Sequence, residues 1–579
     1  MPIRYPSVIG LLSLLLAIGA AVFNGPACAD NAIFSPRDLI HPIYAPHGMV
    51  ATQEATATRI GLDILKRGGN AVDAAVGIGF TLAVTLPQAG NLGGGGFMLI
   101  YDAKTQTTAA IDFRETAPRQ RHRDMFLDGQ GNVVTDRSRF SYLAVGVPGT
   151  VAGLALASAR YGTLPLADLI APAVPLAEQG ITISVALADA LHDAKPQFQP
   201  WPASRKIFLK PDGDFYAAGD TLVQPDLAAT LKTIAAQGPA AFYGGEIGTM
   251  IAADMQTHGG LITLDGLKAY KAVIREPVRG TYRGHEIVSM PPPSSGGVHI
   301  VQILNILEHF PIAQLGHNSA STIHRMAAAM QLAYADRAEY LGDPDFVKVP
   351  VSGLTSKFYA AELAAGIDTA RARPAAEIKP GQPARYESEN TTHYSVIDHD
   401  GNMVAVTYTL NFSFGSGIVA PGTGILLNNE MDDFSAKPGA ANAYGLLGGD
   451  ANAIAPGKRP LSSMSPTFVF KQGKPLLVTG SPGGSRIITT VLQIIVNVID
   501  HGMNIAAASA APRIHQQWLP DELRIEEGLS PDTIALLRAL GHKVVVKDAM
   551  GSTQSIMRLP QGLYGYSDPR RTDSSTAGY

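Results

Sequence analysis

Residues 390–402 read NTTHYSVIDHDGN. From Thr392 to Asp398 the run alternates in the manner of a strand, and Met403–Leu410 forms a second such run. Between them His399, Asp400, Gly401 and Asn402 carry the residues of a tight hairpin turn. The stretch therefore predicts a β-hairpin. Its first strand opens on a threonine pair directly after TARARPAAEIKPGQPARYESEN (369–390), which holds three prolines and few large apolar residues. One reading of the pair is plain strand propensity. The other is that Thr391 becomes a chain terminus.

If the chain is cut between Asn390 and Thr391, the threonine hydroxyl lies beside a free α-amine. Such an amine titrates near ~7.7–8, so it can take the hydroxyl proton near neutral pH. One residue then supplies both nucleophile and base. The cut can be self-made: the Thr391 hydroxyl attacks the Asn390 carbonyl, and water opens the resulting ester. The hairpin brings Thr391 near Thr409, Leu410 and Asn411, with the facing residue left open. No G-x-S-x-G elbow and no H-E-x-x-H pair is present. His393 and Ser395 read as sheet residues, and Asp398-His-Asp-Gly lacks the spacing of an EF-hand.

Working outward, Thr52–Leu86 reads as two packed helices, the first closed by Gly68-Gly69 and the second capped by Asn70. NLGGGGF at 91–97 then permits unusual dihedrals or close backbone contact, and no phosphate-loop GK[ST] follows it. Further helices are expected over Val151–Tyr161, Asp226–Ala236 and Ser321–Tyr340, and a rigid loop over Pro291–Gly297. The 369–390 stretch reads as a flexible linker between residues 30–390 and residues 391–579. Two separate domains and one interwoven layered α/β domain both fit this pattern.

A hydrophobic fraction of 46% against 16% charged residues supports a large core. The net charge of −4 gives no basic excess for nucleic acid. At the N-terminus Arg4, the apolar Val8–Phe23 and Ala27-Cys28-Ala29 read as an export signal over 1–29. Val8–Phe23 is short for a membrane span, which takes about 20 residues. Cys28 also raises a lipoprotein, but Gly25 stands where a lipobox has Leu. Cleavage after Ala29 would remove the single cysteine, leaving no disulfide, thiol nucleophile or cysteine-based metal site.

TTHYSVID at 391–398 resembles the start of the small subunit of γ-glutamyltransferases (γ-glutamyltranspeptidases), which are N-terminal-nucleophile hydrolases. NLGGGGF at 91–97, DFRETAP at 112–118, ADRAEYLGDPDF at 335–346, LLNNEMDDF at 426–434, PLSSMSP at 460–466 and TGSPGGSR at 479–486 match the family pattern in the same order. The resemblance spans essentially the whole mature chain.

The resemblance implies a four-layer αββα sandwich, formed jointly by a large subunit (30–390) and a small one (391–579). Thr391 would be the nucleophile of self-cleavage and of catalysis, and Thr409 would hydrogen-bond its hydroxyl. Arg114, a planar fork of donors, would clamp the α-carboxylate of a γ-glutamyl group, with Ser462 and Ser463 beside it. Asn411, Glu430 and Asp433 would hold the α-ammonium; some bacterial members carry Gln at position 430. Gly483 and Gly484 would offer backbone N–H groups to the oxyanion, and Tyr444 would belong to a lid over Pro438–Gly449. The expected enzyme transfers the γ-glutamyl group of glutathione or a related compound to water, an amino acid or a peptide. It needs no cofactor or metal, binds no nucleic acid, has no stable membrane span and works in the periplasm. The alternatives are a glutaryl-type cephalosporin acylase of the same family, which would not need an acid at Asp433, and an unprocessed peptide-binding homologue.

Overall fold

The computed structural model describes residues 38–383 and 394–579. The expected signal segment, the end of the expected linker and the pair Asn390 and Thr391 lie outside the described residues. Ser395–Ile397 and Met403–Thr409 form the expected antiparallel hairpin, with Ile397 opposite Met403 and Ser395 opposite Ala405. Asp398 ties the turn together. Its carboxylate accepts from the Asn402 backbone N–H at 3.0 Å and from Asn402 Nδ2 at 2.8 Å, and Gly401 supplies the left-handed residue. Asp398 Oδ2 also accepts from the Ala71 N–H at 2.9 Å. Ala71 opens the helix Ala71–Thr85, where unpaired N–H groups and the helix dipole favour a carboxylate. Asn70 caps the same helix through the Val72 and Asp73 N–H groups, as its position in the sequence implies.

Two seven-stranded sheets form the centre. One runs Ser575–Gly578, Met49–Thr52, Ser395–Ile397, Met403–Thr409, Gly95–Asp102, Thr107–Phe113, Val273–Arg275. The other runs Ile43–Ala45, Gly562–Ser567, Gln554–Leu559, Lys474–Thr479, Thr467–Lys471, His285–Ser289, Val278–Tyr282. Their pairings are antiparallel. Strand alternation divides the core. Met98, Ile100, Val404 and Val406 face the helices Ala71–Thr85 and Thr150–Tyr161. Phe97, Leu99, Tyr101, Met403 and Ala405 face the second sheet. Beyond that sheet pack the helices Gly296–Leu307, Ala320–Tyr340 and Ile487–Ile499. The layers are therefore helix, sheet, sheet, helix, the expected αββα order.

The two portions of the chain are interwoven rather than separate. Ser395–Ile397 lies between Met49–Thr52 and Met403–Thr409, and Met49–Thr52 also pairs with Ser575–Gly578 at the end of the chain. The expectation of a flexible linker over 369–390 needs correcting in its described part. Residues 369–383 are irregular but seated. The Ala372 N–H donates to Leu540 O at 2.7 Å, the Gly381 N–H to Asp336 Oδ1 at 2.7 Å, and Trp518 Nε1 to Ala375 O at 3.0 Å. Ala375 and Ile378 are buried. Proline and charge made this stretch look solvated, yet its few apolar side chains and its backbone groups are used.

The four-glycine run serves close approach. A Cβ on Gly93 would lie 2.1 Å from Leu426 O, and one on Gly94 would lie 2.0 Å from Thr409 O. Thr409 thus sits directly against backbone that tolerates no side chain. Among the described residues, no helix is long and apolar enough to cross a membrane. Nor, among them, is there a cluster of three His, Cys, Asp or Glu side chains able to hold a metal.

Candidate active site

The strand ends that meet at one edge of the sandwich open into a cavity of about 440 Å³. Arg114 follows the strand Thr107–Phe113, and Thr409 ends its own strand. Ser462 and Ser463 precede the strand Thr467–Lys471, while Gly483 and Gly484 follow Lys474–Thr479. Asn411 and Tyr444 come from the intervening loops, and Glu430 and Asp433 from the 3₁₀ turn Glu430–Asp433. Every expected site residue within the described chain lines this one cavity.

The acidic and basic members are in contact. Arg114 is fully buried, with Nη1 2.5 Å from Glu430 Oε2 and Nη2 2.6 Å from Asp433 Oδ2. Glu115 Oε2 stands 3.6 Å from Nη1 and is also buried. Sequence reading assigned no role to Glu115 and gave Arg114 and the acids separate partners, the α-carboxylate and the α-ammonium. In the folded chain the guanidinium bridges both acids. Burial works against the Arg114 charge, but Glu430, Glu115 and Asp433 outweigh it and hold the charge firmly. Burial raises all three acids despite Arg114, with Glu115 pushed up to about 8. Three carboxyl groups meet at one guanidinium, and a cationic ligand group placed among them would lower their raised proton affinity and pair with them.

Thr409 Oγ1 accepts from the Asn411 N–H at 2.8 Å, so its own hydroxyl proton remains available to a neighbour. Asn411 adopts a positive φ of 79°. Its Nδ2 donates to Asn429 O at 3.1 Å, and its carbonyl accepts from the Tyr444 hydroxyl at 2.8 Å. Tyr444 also stacks edge-on against Phe412 and lies over Gly484, where a Cβ would come within 2.6 Å of its ring. Asn442 Nδ2 reaches Asp433 Oδ1 at 3.2 Å, tying the same loop to the acids. Gly483 and Gly484 have φ values of 138° and 57°, in the region that favours glycine. Among the described residues their N–H groups donate to no protein acceptor. They precede the helix Ile487–Ile499, a setting that favours negative charge.

Arg337, on the helix Ala320–Tyr340, also lines the cavity. It is buried and donates from Nη2 to Ser463 Oγ at 3.0 Å and from Nε to Ser295 Oγ at 2.8 Å. The motif ADRAEYLGDPDF flagged this region without a role for the arginine. Two other members of that motif are structural: Asp343 accepts from the Arg459 N–H at 2.7 Å, and Asp345 pairs with Arg275 at 2.7 Å. Arg275 also holds Asp112 at 2.7 Å, and Asp112 in turn accepts from the Arg114 N–H at 2.9 Å. The expected sheet residue Ser395 is one, donating to Gln554 O at 2.9 Å.

The fold is shared by a solved cephalosporin acylase from Bacillus halodurans. That structure superposes with a TM-score of 0.83 at 30% identity, covering 96% of this chain and 99% of its own. The sequence profile described as Gamma-glutamyltranspeptidase matches residues 57–578, and the chain belongs to that family. A glutathione hydrolase proenzyme of Escherichia coli (strain K12) is 61% identical over 543 residues, covering 94% of this chain and 93% of the relative. An acylase ACY 1 proenzyme of Pseudomonas sp. (strain V22) is 41% identical, covering 87% of this chain and 88% of its own.

Proposed function

We propose that the protein is a γ-glutamyltransferase and glutathione hydrolase, made as an exported precursor and split at Asn390–Thr391 into a large and a small subunit that stay together. The signal would be 1–29, the subunits 30–390 and 391–579, and the working compartment the periplasm. The observation that carries the reading is the charge arrangement of the cavity. Its lining includes Glu430 and Asp433, with Glu115 at the same guanidinium, and also Ser462 and Ser463, with a second buried guanidinium bonded to Ser463. A γ-glutamyl group presents an ammonium and a carboxylate on one carbon, and this lining has a counterpart for each.

In the reaction the Thr391 amine takes the Thr391 hydroxyl proton, and the oxygen attacks the γ-carbonyl. The hairpin register supports a role for Thr409. Beyond the registered pairs, the Val406 N–H donates to Tyr394 O at 2.6 Å, and Thr409 ends the same strand at the cavity. The Gly483 and Gly484 N–H groups take the developing oxyanion; one such donor typically contributes about 3 kcal/mol to the transition state. The amine's proton passes to the leaving amine of the donor, an ester forms on Thr391, and water or an acceptor amine opens it. Arg114, Ser462 and Ser463 read the α-carboxylate. Taking that carboxylate draws Arg114 off Asp433, which then pairs with the α-ammonium alongside Glu430 and Asn411. Tyr444 covers the site and sets the access of acceptors.

Relatives named acylase suggest a second reading, in which a glutaryl side chain replaces γ-glutamyl. Glutaryl carries no ammonium, and the acid pair Glu430 and Asp433 favours γ-glutamyl. The test is a denaturing intact-mass spectrum together with glutamate release from glutathione. Two chains, one beginning at Thr391, and steady glutamate release are expected. A single chain that stays uncut on incubation, with no release, would overturn the reading.

A further inference from the structure

Arg337 belongs to a motif in which the three aspartates are spoken for and Glu339 is exposed. Asp343 and Asp345 hold the arginines behind the Arg114 strand, and Asp336 binds the Gly381 N–H. Arg337 is buried with no carboxylate among the described residues at ion-pair distance. Arg114, by contrast, has Glu430, Asp433 and Glu115 around it. Arg486 and Arg571 line the same cavity, but among the described residues it is Arg337 that is both bonded to Ser463 and free of an acidic partner. Burial lowers its pKa to about 10, which leaves it charged at neutral pH.

Its hydrogen bonds settle a chemical ambiguity. A serine hydroxyl can donate or accept. Arg337 Nη2 donates to Ser463 Oγ at 3.0 Å, and a guanidinium cannot accept. The Ser463 proton is thereby left to point elsewhere, and a charge-assisted bond at the oxygen polarises that O–H. Ser295 extends the effect. It accepts from Arg337 Nε at 2.8 Å and donates from Oγ to Ser462 O at 2.7 Å. The Ser295 N–H donates to the same carbonyl at 2.9 Å. One buried cation thus fixes the orientation of Ser463 directly and the backbone of Ser462 through one relay.

We propose that Arg337 is a positioning residue for the α-carboxylate end of the donor: it holds Ser463 as a hydrogen-bond donor, fixes Ser462 through Ser295, and supplies the positive charge behind both. This rests on the γ-glutamyl reading above. Arg114 then need not carry carboxylate recognition alone, which its three acidic neighbours would oppose.

The test uses the processed enzyme and two anilides: γ-glutamyl-p-nitroanilide, and 4-aminobutanoyl-p-nitroanilide, which keeps the ammonium and lacks the α-carboxylate. The second is followed as a donor or, where turnover is too slow, as a competitive inhibitor. The variants are Arg337→Met, Arg337→Lys, Ser463→Ala and the double variant Arg337→Met/Ser463→Ala. For the γ-glutamyl donor, Arg337→Met is expected to raise KM by about 10–100-fold with kcat changed less than about threefold. Arg337→Lys should fall between, because a point charge keeps the field and loses the fork. The 4-aminobutanoyl compound should respond to none of them by more than about threefold, and the double variant should be no worse than Arg337→Met alone. Equal losses on both compounds, or fully additive losses in the double variant, would overturn the proposal. If Arg337→Met does not mature, Arg337→Lys and Ser463→Ala decide by the same comparison of compounds. A wild-type enzyme inactive on the γ-glutamyl anilide would instead overturn the γ-glutamyl reading itself.

Discussion

Replacing Asp433 by Asn removes one negative charge from the cavity, together with the acceptor that Asn442 Nδ2 uses at 3.2 Å. The asparagine oxygen can still accept from Arg114 Nη2, which lies 2.6 Å from the present carboxylate, and the volume is unchanged. Removing one partner of a buried, hydrogen-bonded charge pair costs about 2–5 kcal/mol. Two features of this site set the value in the lower half of that range: the Asp433 side chain keeps 15% exposure, and Glu430 remains as a second acid. A loss of about 3 kcal/mol corresponds to about 150-fold in kcat/KM for a γ-glutamyl donor. A glutaryl donor has no ammonium, so for it Asp433 is only a negative neighbour of the substrate carboxylate. Its kcat/KM should stay within about threefold or rise. The assay is release of p-nitroaniline from the γ-glutamyl and glutaryl anilides, on protein whose two subunits have been verified by mass. A similar loss on both anilides would refute the assignment of Asp433 to the ammonium.

Gly484→Ala sets a methyl group 2.6 Å from the Tyr444 ring at a φ of 57°. The ring should be displaced and its bond to Asn411 O lost, with kcat falling about 10²–10³-fold as the oxyanion donors shift. Adding Tyr444→Ala should restore part of that loss; no recovery in steady-state kinetics would mean the clash is not the cause. Asp336 gives a pH signature. Burial raises its pKa to about 6, above the usual carboxyl value, although Gly381, Tyr359 and Gln302 all donate to it. Between about pH 4 and pH 6 the folded chain therefore holds a proton that the unfolded chain has released, so this group's contribution falls as pH rises through that window. Relative to Asp336→Asn, wild type should lose about 3 kcal/mol across it, read as the change in their melting-temperature difference. A difference that does not vary with pH would refute the shift.

The hairpin, the Asn70 cap and the main helices were legible because each depends on neighbours in sequence. The NLGGGGF run was legible as a close approach, but not what it approaches: the Leu426 and Thr409 carbonyls come from strands and loops hundreds of residues away. Motif resemblance supplied Arg114, Glu430, Asp433, Ser462, Ser463, Gly483 and Gly484, and the cavity gathers all of them. Sequence spacing could not say that Arg114 and the acids touch. Arg337 was not singled out, because an arginine near alternating acids on a helix reads as solvated surface. Only the packing of that helix under the Ser462 loop makes it a buried charge. The linker misled for the opposite reason, since composition records how polar a segment is and not whether its backbone finds partners.

The threading of Ser395–Ile397 between Met49–Thr52 and Met403–Thr409 bears on how such a molecule can be taken apart. A severed peptide bond between the two portions would not turn them into an ordinary complex with a dissociation constant set by a surface. Strands of each portion are shared by both sheets, so parting them means tearing ladders and opening the core. Dilution would not release the pieces, and molecules carrying differently labelled pieces would not trade them without unfolding. Nor would two halves expressed apart and mixed after folding find each other as finished surfaces. The strand orders of both sheets alternate between the two portions, so each portion alone would leave ladders unpaired.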